Sequence, residues 1–164
     1  MKRLIYCSLW LAWILLGPAC YRGHGLDPTL PPSGIRGHIT FTGAWPDSTK
    51  EVRIAVLDAY PWEAAGLDTL GFVMQHLVVF SDPLPLSVQS YDYELKLKPG
   101  IYGWIVAAWF PDIPNYIMGV KELGAFESGT PGKPASVLVT AGLFTEHVDI
   151  VADFANVRRS SPFF

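Results

Sequence analysis

Four histidines, two cysteines and fifteen acidic residues are the groups in this 164-residue chain with which chemistry could be done. His24, His38, His76 and His147 are scattered, and no H-x-x-x-H or H-E-x-x-H spacing brings two of them onto one helix turn. A zinc site would therefore need ligands from separate strands, and no metal is expected. Asp58, Asp68, Asp82 and Asp112 stand singly among turn residues, where a short carboxylate caps its own backbone, and they read as turn formers rather than an acid/base pair. No G-x-S-x-G elbow, phosphate loop or dinucleotide fingerprint occurs, and Gly100-Ile101-Tyr102-Gly103 opens a strand rather than a helix. The expectation is a chain with no catalytic residues and no cofactor.

The cysteines point elsewhere. Residues 1–20 begin with Lys2 and Arg3, continue through an uncharged apolar stretch at 4–16, and end in Gly17-Pro18-Ala19-Cys20. Thirteen apolar residues fall short of the roughly 20 that cross a bilayer as a helix, and the small, helix-breaking end suits a signal peptidase. Cys7 would leave with residues 1–19, so the mature chain would own one cysteine, at its first position. In these features the segment resembles a bacterial lipoprotein signal, which implies that Cys20 is the lipid attachment site. Leu16 stands four residues before the cysteine, where the family usually has a leucine three before it, and Pro18 lies between them. An ordinary secretory signal cut near Ala19, or an uncleaved anchor, are the alternatives. The resemblance implies an exported protein, held on a bacterial membrane and facing the periplasm or the cell surface.

Loss of Lys2 and Arg3 takes the formal charge from −3 to −5. An acidic domain whose one basic pair is Arg158-Arg159 lacks the footprint that nucleic acid needs. Residues 20–33, rich in Gly and Pro, read as a lipid-anchored tether, residues 34–157 as the folded domain and residues 158–164 as a C-terminal tail.

Within the domain the hydrophobic period is two. Ile35, Ile39 and Phe41 alternate with Arg36, His38 and Thr40; Val52, Ile54 and Val56 alternate again, as do Tyr91, Tyr93, Leu95 and Leu97 with Asp92, Glu94, Lys96 and Lys98. Residues 72–80 and 101–110 are apolar runs, the second suited to a central strand buried on both faces, and residues 136–140 and 147–154 complete the series. Helix has little support; the best stretch, 62–70, is interrupted by Gly66. The expectation is an all-β, antiparallel sandwich of seven or eight strands.

The order GxIxFTGxWP, a Val-rich strand, YELKLKPGIYGWIVAAW and SVLVTAG, between residues 34 and 154, resembles bacterial transthyretin-like and carboxypeptidase-regulatory-like domains, which are related in architecture to immunoglobulin domains. That resemblance implies a non-catalytic module. Of the enzymatic transthyretin-like family, the hydroxyisourate hydrolases, the closing Tyr-Arg-Gly-Ser motif is missing, since the chain ends in RRSSPFF.

Aromatics near loops are the remaining feature. Trp62, Trp109 and Tyr116 stand within or beside the long irregular stretches 58–71 and 111–134, where they could stack on a sugar or anchor an envelope protein. The competing use is to seal the ends of a domain without a disulfide. The sequence thus favours an accessory or protein-interaction module of the cell envelope, with a small-ligand or carbohydrate-binding module as the alternative.

Overall fold

In the computed structural model, the structure describes residues 31–61, 69–114, 119–127, 129–130 and 132–157. Cys20 with the rest of residues 1–30, Trp62, Tyr116 and the tail 158–164 lie outside the described residues.

The described chain is all-β but for one short helix and short 3-10 turns. β1 (Gly34–Thr42) and β2 (Thr49–Leu57) follow the alternation of the sequence, and α1 (Thr69–His76) leads into β3 (Leu77–Phe80). Then come β4 (Ser90–Lys96), β5 (Gly100–Tyr102), β6 (Trp104–Pro111), β7 (Lys121–Ala125), β8 (Val137–Val139), β9 (Phe144–Thr145) and β10 (Ile150–Asp153). One sheet runs β10-β1-β4, with β9 also on β1; a second runs β3-β2-β6-β7; β5 and β8 form a two-stranded ribbon.

Five expectations need correction. The described strands number ten rather than seven or eight, and the stretch 111–134, expected to be irregular, contains β7. The pairing is not wholly antiparallel, because β9 and β10 both lie parallel to β1 along one edge. The stretch 72–80 is helical as far as His76 and a strand only from Leu77. A short unbroken apolar run carries no period, and here Phe72 and Val73 bury while Met74 and Gln75 face water, as one side of a helix does. The run 101–110 is not one strand either. It breaks at Gly103, where a Cβ would stand 3.0 Å from Ala59, so Ile101 joins the ribbon, exposed, and only Trp104–Pro111 enters the second sheet.

β6 lies between β2 and β7, and both its faces are covered. Ile105 and Ala107 join Ile35, Ile39, Val52, Ile54 and Ile150 in a core to which both larger sheets contribute. Trp104, Val106, Ala108 and Phe110 point the other way, into a second cluster with Val73 of α1 and with Leu77 and Phe80 beside it. The edges of the two sheets meet where Phe126 bridges Ile150. Gly124 permits that contact, since a Cβ there would stand 2.0 Å from the Val151 carbonyl oxygen.

Candidate functional site

The outer face of the first sheet carries the polar half of the alternation. Arg36 in β1 stands opposite Glu94 in β4, and His38 opposite Asp92. Along the other edge of β1 the ladder is interrupted. Ile35 pairs with Thr145 and Ile39 with Ile150, so four steps along β1 face five along its partner. One residue is extra, which makes the segment between β9 and β10 a bulge. His147 takes it up with a φ of +61°, a conformation that costs a non-glycine residue about 1 kcal/mol or more.

The bulge is pinned from three sides. Val148 N–H donates to the Arg36 carbonyl at 3.0 Å, and His38 N–H donates to Asp149 Oδ1 at 2.8 Å in place of a backbone acceptor. The Tyr93 hydroxyl, buried in β4, donates to the Val148 carbonyl. That carbonyl can cross β1 because residue 37 is glycine; a Cβ there would lie 2.0 Å from the Val148 oxygen. Burial pushes the Tyr93 phenol well above its ordinary value, with the Asp149 charge adding to the shift.

Over this bulge lies an open groove of about 330 Å³, lined by Arg36, His38, Asp92, Tyr93, Glu146, His147 and Asp149. Its charges are largely engaged with one another. Arg36 Nε meets Glu94 Oε2 at 2.8 Å and its Nη1 meets Glu146 Oε1 at 3.2 Å, while the guanidinium carbon sits 4.1 Å from the centre of the Phe144 ring. The hydrogen bond to Glu94, ahead of that to Glu146, holds Arg36 above its ordinary pKa. His38 Nδ1 lies 2.6 Å from Asp92 Oδ1, which orients the ring and leaves Nε2 as its remaining polar atom. A carboxylate–imidazole pair is the arrangement of a general base. The hydroxyl in this lining is Tyr93's, and it is turned inward to Val148. The groove can hold polar groups by hydrogen bonds at an exposed surface.

A second such pair, His76 Nδ1 and Asp58 Oδ1 at 2.7 Å, closes the end of α1, where Asp58 N–H also donates to the His76 carbonyl and Phe72 stacks on the imidazole at 4.2 Å. Its work is to hold the helix on β2. Among the described residues no three His, Cys, Asp or Glu side chains gather to hold a metal ion.

Of the aromatics, Trp109 is half-buried on β6 against the main core, with Nε1 donating to Thr49 Oγ1 at 3.1 Å. Trp45, in the turn after β1, is wedged between Phe41 at 4.7 Å and Phe154 at 4.6 Å, and its Nε1 donates to the Val88 carbonyl. His38 faces outward as its strand phase requires, whereas His147 belongs to the bulge and not to a strand. Sequence reasoning did not single out Arg36, Asp92, Glu94, Glu146 and Asp149. The polar phases R-x-H and D-x-E were visible, but nothing local showed that they stand opposite each other.

No family model matches the chain, and neither a curated protein nor a solved structure matches it.

Proposed function

We propose that this protein is a non-catalytic lipoprotein of the bacterial cell envelope, a β-sandwich of the transthyretin-like, immunoglobulin-related kind, tethered through a lipid on Cys20 and acting as an accessory or protein-interaction module. The observation that carries the reading is the lone cysteine behind a short apolar segment, followed by a Gly- and Pro-rich stretch that leads to β1. The two larger sheets with one shared core support the sandwich. The mutual engagement of Arg36, Glu94 and Glu146 on an open surface supports a binding role. The alternative, a carbohydrate-binding module working through Trp62, Trp109 and Tyr116, draws little from Trp109, whose ring nitrogen is engaged and whose ring is half-covered. The test is Cys20→Ser. The variant should move from the membrane fraction to the soluble one and lose the acyl mass on its N-terminal peptide. An unchanged distribution would make the apolar segment 4–16 itself the anchor and overturn the reading.

A further inference from the structure

Resting on that anchored reading, we infer that the outer face of the β5–β8 ribbon is the side of the domain that lies on the bilayer. Ile101 and Leu138 are register partners in this ribbon, so their side chains are neighbours on one face. They are 66% and 63% exposed, while Tyr102, Val137 and Val139 on the other face are in the core. Leu143, in the turn that follows β8, is 61% exposed. Alternation would put polar residues at such positions, and an unpartnered apolar pair on a two-stranded ribbon is a surface awaiting something.

The chain itself says what. Its path into the domain passes at one end of this ribbon, between the chain that enters β5 and the chain that leaves β8. Ser33 Oγ donates to the Leu97 carbonyl at 2.8 Å, Leu97 N–H donates back to Ser33 at 2.9 Å, and Gly34 N–H donates to the Leu143 carbonyl at 3.2 Å. Leu97 leads into β5 and Leu143 follows β8. The tether therefore reaches the domain beside Ile101, Leu138 and Leu143. Thirteen residues separate Cys20 from Gly34. Even fully extended, a chain of that length reaches about 45 Å at most. An anchor so short brings the face beside it to the lipid and keeps it there at an effective concentration of about a millimolar or more. Weak apolar affinity suffices at that concentration.

The charges agree. Lys96 and Lys98, exposed at the same end, join no described salt bridge and can meet anionic headgroups. The other end of β1 carries Asp153 beside Thr42, with Asp47 and Asp112 near it and Lys50 among them. Glu94 and Glu146 at the tethered end are both paired to Arg36, which leaves the two lysines to face the headgroups.

The acylated full chain in phosphatidylethanolamine–phosphatidylglycerol vesicles tests this. Leu138→Cys and, at the far end, Asp47→Cys each supply a thiol for an environment-sensitive dye, Cys20 being blocked by its lipid. The dye at 138 should be quenched by brominated acyl chains and resist aqueous iodide about threefold better than the dye at 47. Adding Ile101→Asp to Leu138→Cys should abolish the bromolipid quenching without changing the melting temperature or the acyl mass. Equal iodide quenching at both positions on an acylated chain overturns the inference and leaves the anchor standing. A dye at 138 that is shielded from iodide yet blind to bromolipid, in a chain that is dimeric in detergent, gives the ribbon to a second copy and also overturns it. A chain without the acyl mass, found in the soluble fraction, removes the anchor and this inference together.

Discussion

The two larger sheets turn one face each to the common core, and their other faces have opposite fates. Behind the second sheet, Trp104, Val106 and Ala108 are shut from water, with Val73 of α1 and with Leu77 and Phe80 against them. Behind the first, Arg36, His38, Asp92 and Glu94 stay at the surface and pair across strands. The difference lies in the phase opposite the core. In β6 that phase is apolar and must be covered; in β1 and β4 it is charged and must not be. A covered face supplies stability, and an open one, re-aimed by a bulge, supplies a groove.

Substitutions that force one face to behave as the other separate these roles. The largest effect is expected from Val106→Asp, which places a carboxylate in the covered face at a fully buried position. The cost is roughly 4 kcal/mol or more, a large share of what a domain of this size possesses, and thermal denaturation should show the variant unfolded or nearly so. Normal melting would mean that β6 does not have two buried faces.

Tyr93→Phe sharpens the comparison from beneath the open face. It leaves the buried Val148 carbonyl without its hydroxyl donor, for about 1–3 kcal/mol in chemical denaturation. The same residue sets a pH dependence. Its pKa is raised on folding, so the folded state keeps a proton that the unfolded chain loses above its ordinary value of 10.0. That contribution is complete below pH 10 and declines as pH climbs beyond it. Melting temperatures between pH 9 and 11 should therefore fall more steeply in the parent than in Tyr93→Phe, about one pH step at a time. Parallel curves would remove Tyr93 from the pinning of the bulge.

The smallest change is expected from Arg36→Gln, which dissolves the ion pairs to Glu94 and Glu146 on a solvated face. Its melting temperature should fall less than that of Tyr93→Phe. A larger loss would make the open face a structural element after all.

Much of the fold was legible because alternation is local. The phases of β1, β2 and β4 could be read directly, and the continuous run around Val106 announced burial on both sides. The run around Val73 misled, because unbroken hydrophobicity suits a buried helix turn as well as a strand. Of the groove, only the outward phase of His38 and of its neighbours could be read.

What the sequence determines by itself is therefore the β class, the polar and apolar phases of its main strands, and the lone cysteine behind an apolar segment that sets the expectation of an anchor. These depend on neighbours in the chain, within the reach of one strand or one turn. The tertiary structure alone decides that Arg36 meets Glu146 across 110 residues, that β9 and β10 lie parallel on one edge of β1, and that one extra residue between them lifts His147. It alone explains Gly37, whose missing side chain makes room for a carbonyl more than a hundred positions away. Strand partners and register are chosen by which buried faces can close over one another, and that choice belongs to the whole chain.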